Sequence, residues 1–211
     1  FWNFDNRSNW SDAEEGYIIL SNNTDDISQW ELIALPQGPF GFDHNKYNHA
    51  AFDDINNDGF NDVVVAITRD LPYYEGAYIQ ILINDGLGKL IDMTDTNFSN
   101  QPRSNSHHGE GNIYLRDMNL DGYMDIVHST RDYNSGYHGA HIAINDGMGK
   151  FTSIENSKLP NKPDPGYNNY DFLMKGLPIN ADNEACLDLI SVTDVGWENN
   201  QSETSNYFFT V

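Results

Sequence analysis

Two nine-residue segments carry oxygen-bearing side chains at a spacing suited to a hard cation. Residues 54–62 and 117–125 both read D-x-N-x-D-G-x-x-D. Calcium takes carboxylate, amide and carbonyl oxygens as ligands, and a loop that wraps the ion needs glycine at its sharp turn. The pattern predicts two calcium sites, with side-chain ligands at positions 1, 3, 5 and 9 and a backbone carbonyl at position 7. The predicted ligands are Asp54, Asn56, Asp58, Phe60 and Asp62 in the first loop and Asp117, Asn119, Asp121, Tyr123 and Asp125 in the second.

The alternative interpretation is an ordinary turn, because Asn, Asp and Gly dominate turns for conformational reasons alone. Two copies that match at the same five positions favour the cation site. An EF-hand is excluded, since that loop needs a glutamate at position 12 and a helix on each side. Val65 occupies position 12 of the first loop, and β-branched residues follow both loops.

The composition points to an acidic protein outside the cell. The 211 residues include 11 basic and 32 acidic side chains, for a net charge of -21. Such a surface repels nucleic acid and anionic lipid, and bound cations would relieve its self-repulsion. Millimolar calcium is an extracellular condition that fills weak loop sites, so we expect a secreted or cell-surface protein.

The remaining composition signals bound the class of protein. There is no initial Met, no signal peptide and no apolar run of membrane-spanning length, so we expect no membrane insertion and a chain processed or cut from a longer polypeptide. The single cysteine, Cys186, excludes an internal disulfide. Five N-x-S/T sequons matter only in a glycosylating host; they begin at Asn6, Asn9, Asn22, Asn97 and Asn200.

The loops belong to a longer repeat. They begin 63 residues apart, and a second motif, N-D-G-x-G-K, recurs after 61 residues at 84–89 and 145–150. Each copy follows a strand-like run, and Asn-Asp-Gly supplies the positive φ angles of a tight hairpin. A period near 60 residues with several strands per period predicts an all-β fold, namely a β-propeller segment of about three to four four-stranded blades.

The repeat divides the chain into two full blades, 45–96 and 108–156, and two partial blades, 1–36 and 168–211. We predict strands at 47–53, 62–68, 77–84, 89–94, 110–116, 125–131, 140–145 and 150–154 in the full blades. The partial blades are expected to hold strands at 1–4, 16–22, 30–34, 170–174, 187–192 and 206–211. A degenerate third loop begins at Pro178 and contains one inserted residue; no calcium is expected there. Open faces at both ends would be covered by the rest of a propeller, in the same chain or another subunit.

These residues resemble a known family, the FG-GAP/VCBS repeats. The resemblance covers roughly residues 16–193 and depends on the two D-x-N-x-D-G-x-x-D loops and the N-D-G-x-G-K hairpins. It implies the β-propellers of integrin α-subunits and many secreted bacterial proteins, with calcium held by the loop residues named above. It does not fix one activity, because adhesins, lectins and polysaccharide lyases all use such propellers.

A catalytic alternative depends on loop residues near the second loop. His107 or His108, with Arg116, Arg131, Tyr133 and Tyr137, could abstract the proton next to a uronate carboxylate, as a polysaccharide lyase requires. Polar loop residues that make only local hydrogen bonds are the competing interpretation. A zinc site formed by His107 and His108 with His138 or His141 is a further alternative, weakened because adjacent residues of a strand face opposite ways.

Three functional hypotheses therefore remain. The first is a non-catalytic, calcium-stabilised module that binds a glycan or an extracellular protein. Loop aromatics would stack on sugars in that case; they are Tyr73, Tyr74, Tyr133, Tyr137, Tyr167, Tyr170 and Trp197. The second is a lyase acting on acidic glycans, which the charge of -21 disfavours. The third is a structural repeat of a cell-surface or filament protein, whose open faces serve as assembly contacts.

Overall fold

The computed structural model of the chain is built from β-strands. It describes residues 16–21, 23–41, 44–69, 75–101, 112–128, 141–154, 173–182, 187–194 and 209–210. These residues contain thirteen strands, one short α-helix and one 3₁₀ turn, Ile27–Gln29. The strands are β1 (Tyr17–Leu20), β2 (Glu31–Ala34), β3 (Asn45–Asp53), β4 (Asp62–Arg69), β5 (Glu75–Asn84), β6 (Leu90–Asp92), β7 (Ile113–Arg116), β8 (Asp125–His128), β9 (His141–Asn145), β10 (Phe151–Ser153), β11 (Leu173–Ile179), β12 (Asp188–Asp194) and β13 (Phe209–Thr210).

The strands form four antiparallel sheets in which chain neighbours are sheet neighbours. Sheet 1 is β1–β2, sheet 2 is β3–β6, sheet 3 is β7–β10 and sheet 4 is β11–β13. This up-and-down order requires only short connections. The all-β prediction is confirmed; the described strands form four separate sheets, and no closed ring of sheets is present among them.

Sheets 2 and 3 pack face to face over the largest hydrophobic core. Val64, Ala66 and Ile81 from sheet 2 and Ile113 and Ile126 from sheet 3 are all buried in it. The opposite face of sheet 2 packs on sheet 1. The side chains that point to this face alternate along the strands with those of the first core, and they form a second core. That core contains Val65, Ile67, Tyr78, Leu82 and Leu90, with Ile18 and Leu35 against it. Strand alternation thus gives the central strands of sheet 2 two buried faces.

A short helix fills the gap between sheets 2 and 3. Helix α1 (Thr94–Asn97) ends at Phe98, whose ring is fully buried in the larger core. The sequence did not predict this helix, because the polar residues around it read as a loop. Asn97 is the only sequon asparagine among the described residues, and its side chain is buried beside Gly149. A glycan on Asn97 is therefore incompatible with this packing.

The segment around α1 also continues the hydrogen bonding along β5 beyond the end of β6. Ile81 N donates to Thr94 Oγ1 at 2.8 Å. Further along, the Gln101 side chain accepts from Ile79 N at 2.8 Å and donates to Ile79 O at 3.0 Å. Side chains therefore replace a longer edge strand and satisfy buried backbone groups.

The predicted strands of the two full repeats are confirmed within three residues wherever the structure describes them, as are the strands at 16–22 and 30–34. The prediction of a strand at 170–174 is wrong in its limits. Strand β11 runs to Ile179, and Pro178 pairs with Leu189 inside it. The predicted strands at 1–4 and in most of 206–211 lie outside the described residues. The assignment of sheets to blades stays a prediction.

Candidate metal centre

Each predicted calcium loop joins the first two strands of a full sheet. Residues 54–61 connect β3 to β4, and residues 117–124 connect β7 to β8. At the base of the first loop, Asp53 of β3 is paired with Asp62 of β4. At the base of the second loop, Arg116 of β7 is paired with Asp125 of β8. The sheets therefore hold position 9 of each motif beside the residue that precedes position 1.

In the first loop the side chains of positions 1, 3 and 5 turn inward onto the loop backbone. Asp54 accepts from Asp58 N at 3.0 Å and from Gly59 N at 2.9 Å. Asn56 Oδ1 also accepts from Asp58 N, at 3.0 Å, and Asp58 Oδ1 accepts from Phe60 N at 2.9 Å. Gly59 has φ +91° with open space around it, so the turn itself selects glycine.

The second loop repeats these hydrogen bonds one for one. Asp117 accepts from Asp121 N at 3.1 Å and from Gly122 N at 2.8 Å. Asn119 Oδ1 accepts from Asp121 N at 3.0 Å, and Asp121 Oδ1 accepts from Tyr123 N at 2.9 Å. Gly122 again has φ +91°. Two segments of different sequence at the intervening positions thus share one geometry.

The position 9 carboxylate of the first loop, Asp62, is fully buried. Burial is the largest effect on this carboxyl and raises its pKa to about 6. Hydrogen bonds from Asn84 N at 2.8 Å and Ile55 N at 3.2 Å lower the pKa and offset part of this effect. The nearby carboxylates Asp58 and Asp54 raise the pKa further. A cation in the loop would offset both unfavourable effects.

Asp125 has the same environment in the second loop. Its side chain is fully buried and accepts from Asn145 N and Met118 N, each at 2.9 Å. Burial raises its pKa, with a smaller contribution from Asp121 and Asp117. Each loop therefore gathers three carboxylates with no basic residue among its nine.

The donor set of both loops fits calcium by its chemistry. It consists of carboxylate, amide and carbonyl oxygens, with no thiol or imidazole that would favour zinc. In the conformation described, the acidic oxygens are directed to backbone N–H groups. No group of three His, Cys, Asp or Glu side chains in the described residues is arranged to hold a metal ion.

The aromatic residues at position 7 have a role that sequence reasoning missed. The sequence assigned only carbonyls to Phe60 and Tyr123, yet their rings lie against the hairpins of their own sheets. A Cβ added at Gly86 would lie 2.6 Å from the Phe60 ring, and one at Gly147 would lie 2.6 Å from the Tyr123 ring. The signal in the sequence is an aromatic at position 7 of each loop together with a glycine in each N-D-G hairpin.

The third loop begins two residues later than the sequence predicted. Ala181 N donates to Asp188 Oδ2 at 2.8 Å, which is the counterpart of the bonds from Ile55 N to Asp62 and from Met118 N to Asp125. Asn180 therefore occupies position 1 and Asp188 position 9, with no insertion. The prediction of an insertion after Pro178 was wrong because it took that strand residue for the start of the loop.

The proposed catalytic residues are not brought together by the described part of the chain. His107, His108, Arg131, Tyr133 and Tyr137 lie outside the described residues. Arg116 ends β7, is exposed, and donates from Nη1 to the carbonyl of Leu115 at 2.6 Å. The lyase site stays a prediction.

The zinc alternative is equally untested. His138 lies outside the described residues together with His107 and His108, whereas His141 is buried in β9. Its ring stacks on Phe98 with centroids 6.2 Å apart, and its Nε2 lies 3.1 Å from Ser153 Oγ. In this position His141 is a residue of the packed sheet interior. The loop aromatics proposed for sugar stacking also fall outside the described residues.

The chain matches one of the known protein families over part of its length. The family model for the FG-GAP-like repeat matches residues 54–128, from position 1 of the first loop to the last residue of β8. No solved structure matches the chain. The matched stretch contains both D-x-N-x-D-G-x-x-D loops, which carried the resemblance noted in the sequence. Residues 54–128 are therefore an FG-GAP-like repeat segment.

Proposed function

We propose that the chain is a calcium-stabilised, extracellular repeat module that binds a glycan or a protein. The observation that carries the calcium proposal is the pair of loops with equivalent hydrogen bonds, each closed by a fully buried carboxylate. Burying a carboxylate without a cation is unfavourable, as the raised pKa values of Asp62 and Asp125 express. A repeat of the FG-GAP type suits interaction and adhesion, and such repeats are common in extracellular proteins.

The arrangement of the sheets supports a propeller as the architecture of the module. Strand β3 lies beside β7, and β11 lies beside both β7 and β8. The first strands of successive sheets are therefore neighbours, as expected when blades are arranged around a common axis. None of the helices in the described residues is long and apolar enough to cross a bilayer.

We place the partner-binding surface at the loop ends of sheets 2 and 3. Leu87 and Met148 occupy the same position of the two hairpins and are 90% and 66% exposed. Beside them, the partly exposed rings of Phe60 and Tyr123 cover the hairpin glycines. Exposed rings and apolar side chains held on rigid hairpins can stack on a sugar or enter a protein interface.

The experiment for the calcium proposal measures thermal stability with and without calcium. At a calcium concentration 100 times the Kd, binding would stabilise the fold by about 2.7 kcal/mol per site, or roughly 5–10 °C for a chain of this size. Asp58→Ala and Asp121→Ala should each lose part of the calcium-dependent increase and change little in chelator. Asp95→Ala, an exposed acid outside the loops, is the matched control. An equal loss of stability in calcium and in chelator would refute a metal role for the loop acids.

The partner-binding proposal is tested on an array of glycans and extracellular proteins. Leu87→Ser and Met148→Ser should weaken retention while leaving the calcium-dependent stability intact. Retention that survives the double substitution would exclude this surface. No contact among the described residues favours the lyase, so that activity is not proposed.

A further inference from the structure

Asn145 belongs to sheet 3 but contacts both calcium loops. It ends β9, and its side chain is only 1% exposed. Its Nδ2 donates to the carbonyl of Ile55 in the first loop at 2.8 Å and to that of Met124 in the second at 3.1 Å. Its Oδ1 accepts from Gly147 N at 3.0 Å and Gly149 N at 3.2 Å, which fixes its orientation.

These bonds connect the two buried carboxylates. Asp62 accepts from the backbone N–H of Ile55, and Asp125 accepts from the backbone N–H of Asn145. Ile55 and Asn145 are in turn joined by the 2.8 Å bond between the Ile55 carbonyl and the Asn145 side chain. All four residues are buried. Position 9 of one loop is thus linked to position 9 of the other through only two intervening residues.

A second contact joins the same hairpin to the first loop. Asn57 Nδ2 donates to the carbonyl of Gly147 at 3.0 Å. Gly149 lies so close that a Cβ added there would be 3.3 Å from the Asn56 Cβ. The hairpin 145–150 therefore rests on the first loop while its first residue holds the closing carboxylate of the second.

We propose that Asn145 couples the two calcium loops, so that filling one raises the affinity of the other. The inference rests on the proposed calcium binding. A cation in the first loop fixes Asp62 and the Ile55 peptide, and the bound Ile55 carbonyl fixes Asn145, which orients Asp125. The second ion then binds to a loop that is already partly ordered, so that its binding costs less conformational entropy. This is positive cooperativity.

The chain contains a matched control in Asn84, the equivalent residue of sheet 2. Its backbone N–H donates to Asp62 at 2.8 Å, its Nδ2 to Asn61 O at 3.0 Å, and its Oδ1 accepts from Gly86 N at 3.0 Å. Within the described part of the chain these bonds stay inside sheet 2 and its own loop. Asn84→Ala consequently disturbs a loop and hairpin without removing a bond between sheets.

The experiment is a calorimetric calcium titration of the full chain in three backgrounds, namely the unmodified chain, Asn145→Ala and Asn84→Ala. In the otherwise unmodified chain, Asp58→Ala should lower the calcium affinity of the second loop by about five-fold or more, which is the lower end of the range for allosteric coupling. Asp121→Ala should lower the calcium affinity of the first loop by the same factor, because coupling is reciprocal. In the Asn145→Ala background, each of these two substitutions should change the calcium affinity of the other loop by less than about two-fold. In the Asn84→Ala background the full coupling should persist.

The possible results separate the two proposals. If the unmodified chain binds no calcium, the proposed function fails and the coupling with it. If it binds two ions independently, or if coupling survives Asn145→Ala, only the coupling is overturned.

A second variant covers the case in which Asn145→Ala does not fold. Asn57 is exposed and has φ +61°, so Asn57→Gly removes the bond from the first loop to Gly147 at an angle that glycine accepts. Leu120→Gly, the same change in the second loop, where φ is also +61°, is its control. Coupling should fall in Asn57→Gly and not in Leu120→Gly; equal coupling in both overturns the inference.

Discussion

Acidification should remove a contribution to the folding free energy that comes from one buried histidine. His141 is 5% exposed in β9, its ring stacks on Phe98, and burial lowers its pKa to about 4. An unfolded histidine titrates near 6.5. Between these two values the unfolded chain binds the proton and the folded chain does not, so stability is fully present above pH 6.5 and is lost as the pH falls toward 4.

The magnitude follows from the difference between the two pKa values. A difference of about 2.5 units predicts that His141 alone removes about 2 to 3 kcal/mol of folding free energy between pH 7.5 and pH 4.5. Other groups titrate in the same interval, including Asp62, whose raised pKa of about 6 acts in the opposite direction. The measured quantity must therefore be a difference between two proteins that share those groups.

His141→Gln provides that comparison, because Gln80 is fully buried at the equivalent position of β5. Urea unfolding of both proteins at several pH values between 7.5 and 4.5 gives the two stability profiles. The wild-type profile should fall more steeply than that of His141→Gln by about 2 to 3 kcal/mol over the interval. Parallel profiles would show that His141 is not buried in its neutral form and would refute the packing that places it against Phe98 and Ser153.

Two further predictions concern stability. Gly59→Ala, at φ +91° with free space around the Cβ, should lower the free energy of unfolding by about 1–2 kcal/mol through backbone strain. Gly86→Ala should lower it further because its Cβ would clash with the Phe60 ring, and adding Phe60→Ala should remove that extra loss. Equal losses for the two glycine substitutions in urea unfolding would exclude the ring contact. Gln101→Ala should cost about 2–5 kcal/mol because it leaves both polar groups of Ile79 buried without partners; a loss below about 1 kcal/mol would show that water replaces the side chain.

The sequence predicts best what depends on local spacing. Positions 1, 3, 5 and 6 of each loop lie within six residues of chain, and their hydrogen bonds are set by the same short-range geometry that defines the motif. The strands follow from alternating apolar residues and from the hairpin glycines, so their order and approximate limits could be predicted as well.

What could not be predicted depends on contacts between distant segments. Helix α1 looks polar in sequence, and only the space between sheets 2 and 3 explains why Phe98 and Gln101 are buried there. The start of the third loop was misjudged because Pro178 was taken as a loop residue, whereas its pairing with Leu189 decides that it is a strand residue. Asn145 gave a hairpin signal in the sequence, and nothing in that signal indicated its bond to a loop 90 residues earlier.

The bond from Asn145 to Ile55 matters because of how sheets 2 and 3 share their stability. Their common core is built from both sheets, so neither buries its apolar face without the other. At the loop end of this interface lie six acidic side chains, three in each loop, without a basic residue in either nine-residue motif. Packing draws the sheets together, and the charge of the loops opposes that approach. The hydrogen bonds of Asn145 join the two loops without adding charge. If each bound cation favoured binding of the next, the repulsion between the acidic loops would be neutralised in one cooperative step. If the loops bind calcium as proposed, the ions would act on the pair of sheets, and the two loops would fill together as the interface between the sheets is completed.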